Sequence, residues 1–294
     1  MTNIAKILFT LLLLAAPFGL RAQEATDGRG PAPVIRSLRP IYNTTGAQLG
    51  APLSGNTADM KFQISFRTDL AQDIGGSGIS LAIGYTQVSL WSFYIRSYPF
   101  YDHTFIPGLY AWKQFDRTDG YHSLLWGFEH RSNGRDDAYS RSVNYLFCTY
   151  ARHWDWAENE SLTLSAALRL GTGYYGDDAT FDILSKYLGL ARFRVLWTPR
   201  GGRWELAGEV LPLLNKSLAN VTADVAWCIA PKLGYPSLFV QYHYGYDETF
   251  RDCVTVTGPA INPDGYVPYD RTAPAPARHM LRFGLLFSPG NILR

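Results

Sequence analysis

His130 and Ser132 stand two positions apart, are followed by Asn133 and Gly134, and are joined further on by Asn144. In a β-strand, residues i and i+2 point to the same face, so an imidazole and a hydroxyl at this spacing lie side by side without any special turn. That pairing suits acyl transfer. The hydroxyl attacks an ester carbonyl, the imidazole takes its proton, and an amide such as Asn144 holds the imidazole in one tautomer without adding a charge. Leu124, Trp126 and Phe128 share the parity of His130 and Ser132, so an apolar row ends abruptly in a polar pair. A reactive pair at the rim of a greasy strand face points to a greasy substrate. The bland alternative is that a His and a Ser near an aromatic belt simply meet headgroups and water.

The elements that must position this pair are strands. Period-2 alternation recurs along most of the chain: Met60, Phe62, Ile64 and Phe66 oppose Lys61, Gln63, Ser65 and Arg67. The same pattern returns at Ile79–Tyr85, Leu162–Leu170, Ala191–Trp197, Leu238–Tyr244 and Leu281–Phe287. Short turns at 116–120, 199–203 and 231–236 alternate with longer polar loops at 133–141, 173–187 and 246–278. Alternating short and long connections between strands of about ten residues are the signature of an outer-membrane barrel. Ten strands are clear. An eleventh requires splitting the 246–278 loop, and a weak one lies near Ile35–Gly46. Twelve would close an even-numbered barrel and remove both edges.

The fold expected is therefore all-β, a transmembrane antiparallel up-and-down β-barrel of 12 strands over residues 35–294. Residues 1–22 read as a secretory signal peptide, with Lys6 ahead of an apolar run too short to span a bilayer and Ala22 before the cleavage point. Residues 23–34, rich in Gly, Pro and Asp, read as a disordered segment. The chain carries 27 basic and 25 acidic residues; losing Lys6 and Arg21 with the signal leaves it neutral. Neutrality argues against nucleic acid or an acidic membrane surface as the main partner. The 19 Tyr, 8 Trp and 16 Phe beside 18% charged residues suit an aromatic-girdled barrel, although composition alone favours a secreted β-sandwich over it. Cys148, Cys228 and Cys253 are odd in number and far apart, which is no disulfide framework.

If the loop between the strands 121–132 and 140–152 is symmetric, His130 faces Asn144 and Ser132 faces Ser142 across the hairpin. All of them then lie on the lipid-facing side. A neutral third member is the economical choice there, since an ionised carboxylate against hydrocarbon is costly to desolvate.

The segment from Trp126 to Asn144, WGFEHRSNGRDDAYSRSVN, resembles the signature of outer-membrane phospholipase A. YTQVSLW over 85–91, followed by SYPF over 97–100, is similar to that family's second characteristic stretch. The resemblance implies a twelve-stranded barrel in the bacterial outer membrane that hydrolyses acyl esters of phospholipids as a calcium-bound homodimer. By position, Ser132 matches the nucleophile, His130 the base, Asn144 the orienting amide and the Gly134 N–H an oxyanion donor. The implied Ca2+ site uses the Arg135 carbonyl and the Ser140 hydroxyl, with the Ser97 carbonyl supplied by the other protomer. Gln87 matches a polar residue of the dimer interface; a lone Gln facing lipid is costly, although an aromatic-belt position is an equal reading. Asp136 and Asp137 read as a solvated loop tip. Two rivals stand beside phospholipase activity. One is a deacylase of another outer-leaflet lipid. The other is a passive pore, for which Glu129, Arg131, Arg192 and Arg194 on the lumen face are the relevant charges.

Overall fold

The structure is a computed structural model that describes residues 35–96, 100–135, 140–157, 159–175, 189–213, 219–230, 236–246 and 277–288, with residues 187, 248, 255–256 and 269–270. The signal and disordered segments expected over 1–34, together with Asp136, Asp137 and Cys253, lie outside the described residues.

Twelve antiparallel strands close on themselves: β1 (Ile41–Gln48), β2 (Ala58–Ala71), β3 (Ile79–Trp91), β4 (Phe100–Arg117), β5 (Gly120–Ser132), β6 (Ser142–Ala157), β7 (Glu160–Tyr175), β8 (Ala191–Thr198), β9 (Trp204–Pro212), β10 (Ala219–Cys228), β11 (Ser237–Gly245) and β12 (Arg278–Ser288). Each pairs with its sequence neighbours, and β12 pairs with β1, Phe283 opposite Thr45, which seals the barrel. Closure removes the edges that an open sheet would expose. No helix among the described residues is long and apolar enough to cross a membrane.

Twelve is reached by a different route from the one the sequence suggests. Ile41–Gln48 is a full barrel strand, paired on both sides. The 246–278 segment adds no barrel strand among the described residues; its Thr255–Val256 pairs with Tyr269–Asp270 in a separate small sheet. Thr44, Thr45 and Gly46 explain why β1 reads weakly. A strand lined with small polar residues has little hydrophobic alternation, yet it pairs well in a closed barrel.

The burial pattern is inverted relative to a water-soluble domain. Phe66, Ile83, Leu168, Phe193 and Phe283 are exposed on the outer wall, while Arg282, Asp59, Lys61 and Gln241 are buried inside. Arg282 donates to both Asp59 oxygens at 2.7 and 2.9 Å and to both Glu248 oxygens at 2.7 and 3.0 Å; Lys61 Nζ donates to Glu248 at 2.7 Å. Two cations and two carboxylates thus neutralise one another where bulk water is scarce. Apolar side chains also pack inside the barrel, among them Leu38, Tyr110 and Leu125 against Trp112 and Phe147. Leu38 and Arg39 precede β1 and fold inward, where Arg39 pairs with Glu129. Among the lumen charges named above, Glu129 also accepts from the Tyr110 hydroxyl, and Arg192 lies against Glu209. At the short-turn end, a hydrogen bond from Arg152 holds the exposed Asp119 carboxyl below its usual range.

Candidate active site

β5 and β6 form one hairpin in perfect register through their upper halves, with His130 opposite Asn144 and Ser132 opposite Ser142. This is the symmetric pairing expected from the sequence. Arg131 and Val143, the residues between, and Tyr145 just beyond Asn144 are buried toward the lumen. His130, Ser132 and Asn144 therefore stand on the outer wall. His130 Nδ1 lies 2.7 Å from Asn144 Oδ1. An amide oxygen can only accept, so Nδ1 carries the proton and Nε2 is left as the basic nitrogen. Ser132 shares the face but makes no hydrogen bond to His130 in this structure; such contacts are often loose before substrate arrives. On the far side of Asn144, the β6–β7 ladder shifts register between Val143 and Asn144. A bulge of this kind re-aims a side chain at the rim of a barrel.

Gly134 turns the chain away from the strand with φ +65, a left-handed conformation that favours glycine. A Cβ there would sit 2.4 Å from a ring carbon of Phe105. Phe105 belongs to β4, directly opposite Ser132. The ladder between β4 and β5 omits Ile106 and Pro107, the positions beside His130, because proline has no N–H to donate.

The outer wall beside His130 carries an apolar groove of about 430 Å³, lined by Phe66, Ile83, Tyr85, Pro107, Leu109, Phe128 and His130. Next to it, a polar chain crosses the same wall. The Tyr85 hydroxyl donates to Gln87 Oε1 at 2.9 Å, Gln87 Nε2 donates to Ser89 Oγ at 3.0 Å, and Ser89 bonds His103 Nδ1 at 2.9 Å. His103 stacks on Phe105, 5.7 Å between centroids. Four polar side chains on an apolar wall satisfy one another in a row.

Ser97 lies outside the described residues. Arg135 and Ser140 lie within the loop between β5 and β6, and the Arg135 guanidinium is engaged with the Tyr101 carbonyl at 2.7 Å. A backbone carbonyl and a hydroxyl are hard oxygen donors that fit Ca2+, and with few formal charges they would make a modest site. Among the described residues, no group of three His, Cys, Asp or Glu gathers as a metal site.

Two neighbours of the site escape sequence reasoning. Phe105 packs on Gly134 only because of a β4–β5 register that no local pattern encodes. Asn133, buried at 2% exposure, accepts the backbone N–H of Arg141 at 2.9 Å and of Arg135 at 3.4 Å. The Asn-Gly dipeptide was the available signal, since an Asn side chain readily caps the backbone two residues on.

The family described as Phospholipase A1 matches residues 36–253, a span that contains β1 to β11 and the whole hairpin. The chain belongs to the phospholipase A1 family. It is 33% identical over 206 residues to a phospholipase A1 of Proteus vulgaris, covering 68% of this chain and 66% of that protein. It is 27% identical over 144 residues to a putative phospholipase A1 of Neisseria meningitidis serogroup B, covering 41% of this chain and 38% of that one. These matches span less than two thirds of either relative's length. The fold is that of the outer membrane phospholipase A from Escherichia coli, with a TM-score of 0.65 at 17% identity over 87% of this chain and 95% of that one. A Salmonella typhi outer membrane phospholipase, solved as a dimer with bound calcium, superposes equally well, with a TM-score of 0.65 at 17% identity over 88% and 94%. The phospholipase A1 match agrees with the resemblance seen in the Trp126–Asn144 segment.

Proposed function

We propose that this protein is an outer-membrane serine hydrolase that cleaves the acyl esters of phospholipids, releasing fatty acid from the sn-1 or sn-2 position. The observation that carries this reading is the His130–Asn144 hydrogen bond on the outer wall, with Ser132 on the same face and an apolar groove alongside. A lipid in the membrane reaches such a site laterally, its acyl chain along the apolar wall and its ester at the polar rim.

The chemistry is two acyl transfers. Ser132 Oγ attacks the ester carbonyl carbon while His130 Nε2 takes the hydroxyl proton, and Asn144 Oδ1 holds the Nδ1 proton so that the ring keeps its orientation. The carbonyl oxygen becomes an oxyanion, which the Gly134 N–H would stabilise. Collapse expels the lysophospholipid alkoxide, which takes the proton back from His130 and leaves an acyl-Ser132. Water, deprotonated by His130, attacks that ester; the fatty acid leaves and Ser132 is reprotonated. The Arg135 carbonyl and the Ser140 hydroxyl would hold Ca2+, with the Ser97 carbonyl from a second protomer. When bound, the ion supplies positive charge near the developing oxyanion.

The active form in this reading is a homodimer. Tyr85, Gln87, Ser89 and His103 support it, because a row of polar groups on a lipid-facing wall is better accommodated against a second subunit than against acyl chains. The test is hydrolysis of mixed phospholipid micelles by the purified protein. Ser132→Ala should abolish fatty acid release while the folded barrel keeps its heat-modifiable migration in gels. Retained activity would sink the assignment, and turnover of only a non-phospholipid acyl lipid would move it to a deacylase.

A further inference from the structure

The loop that follows Ser132 is tied at its base by one buried side chain, Asn133. Asn133 lies between Ser132 and Gly134, and its parity turns its side chain away from the outer face. Its backbone N–H donates to the Arg141 carbonyl at 3.0 Å, while its Oδ1 accepts the Arg141 N–H at 2.9 Å and the Arg135 N–H at 3.4 Å. The residue therefore closes the base of the loop with its backbone and side chain together. The longer Oδ1 contact to Arg135 bridges Gly134 and engages the peptide that follows that residue. Gly134 takes φ +65 within this turn, and its own N–H takes no part in the staple.

We propose that Asn133 is a positioning residue for the hydrolytic centre: its side-chain oxygen fixes the turn that presents the Gly134 N–H to the oxyanion and the Arg135 carbonyl and Ser140 to the cation. The inference rests on the assignment of Ser132 as nucleophile. An oxyanion donor stabilises the transition state only if it is already aimed where charge develops, because reorganisation during the reaction would consume the gain. Gly134, with no side chain to lock its backbone, has no such rigidity of its own. The outer shell around reactive groups and metal ligands supplies it, and loss of such a partner typically costs about 10- to 100-fold in activity or metal affinity. The Arg135 guanidinium adds a second tie, to the Tyr101 carbonyl, and Tyr101 is anchored in turn through its hydroxyl to Asp59 at 2.7 Å.

Two near-isosteric substitutions separate the staple from simple packing: Asn133→Asp keeps the Oδ1 acceptor, and Asn133→Leu removes it. The full-length protein in phospholipid micelles is read for kcat, KM, the calcium concentration at half-maximal rate, and the temperature of heat-modifiable unfolding. Asn133→Leu should lower kcat about 10- to 100-fold and raise the half-saturating calcium concentration, with KM and unfolding temperature close to the parent. Asn133→Asp should recover most of kcat. The proposal is overturned by an Asn133→Leu protein with parental kcat, by an Asn133→Asp protein as impaired as Asn133→Leu, or by losses that track the unfolding temperature. Should Asn133→Leu fail to fold, Asn133→Ala takes its place. If neither folds, the residue is structural and the proposal fails. Ser132→Ala in the same assay keeps the two readings apart. Its retained activity sinks the nucleophile, whereas a dead Ser132→Ala beside a fully active Asn133→Leu sinks only the staple.

Discussion

His130 Nδ1 and Asn144 Oδ1 meet at 2.7 Å on residues that face one another directly across the β5–β6 hairpin. The contact is made by two strands rather than by a loop, so backbone pairing holds the imidazole's orienting partner in place. The proposed base itself stays on His130. Asn144→Ala should therefore cost less than His130→Ala: about 10- to 100-fold in kcat for the lost orientation, against about 10²- to 10⁴-fold for the lost proton acceptor. Steady-state rates on micellar phospholipid check the ordering, and a greater loss at Asn144 would contradict it.

Chelation tests the cation and the dimer together. The donors proposed here are carbonyl and hydroxyl oxygens, with Ser97 from the partner, so the metal and the second protomer should bind cooperatively. EDTA should stop turnover and shift the protein towards monomer in analytical ultracentrifugation, and added calcium should reverse both. Turnover that persists in EDTA would remove the metal site from the mechanism. Gln87→Leu should lower the dimer fraction at fixed calcium, since it breaks the bonds to Tyr85 and Ser89 that run along the wall.

Much of the site was legible because strand parity is local information. The row Leu124, Trp126, Phe128, His130, Ser132 announces its own facing, and a symmetric hairpin sets the register that brings in Asn144. What stayed hidden depends on partners distant in sequence. Phe105 reaches Gly134 through the β4–β5 pairing, and Glu248 reaches Arg282 and Lys61 across the lumen. No periodicity records which lumen charge meets which, because every inward position on every strand is a candidate. β1 was faint for a related reason: Thr44 and Gly46 face a polar interior, so the strand lacks the alternation by which the others declare themselves.

Gly134 is constrained twice, by its left-handed φ and by the Phe105 ring 2.4 Å from where a Cβ would stand. Gly134→Ala should displace the proposed oxyanion donor and lower kcat by about 10²- to 10³-fold, the usual cost of losing such a donor. The double variant Gly134→Ala with Phe105→Ala separates the two constraints. Removing the ring relieves the clash but leaves the backbone strain, so only part of the rate should return. Full recovery would show that packing alone demands the glycine, and no recovery would place the whole requirement on φ.

The lumen quartet makes the last prediction, on stability. Arg282 and Lys61 share Glu248, and Arg282 also holds Asp59, so the buried charges balance in number. Deleting Glu248 would leave a cation uncompensated in a poorly solvated interior, for which breaking a buried pair typically costs about 3–5 kcal/mol. Glu248→Ala should lower the temperature of heat-modifiable unfolding markedly. Replacing both partners, as in Lys61→Met with Glu248→Gln, restores neutrality and should recover much of that loss, since the penalty lies in the stranded charge rather than in the missing bonds. If the double variant is as unstable as Glu248→Ala, the hydrogen bonds themselves hold the barrel, and charge balance is incidental.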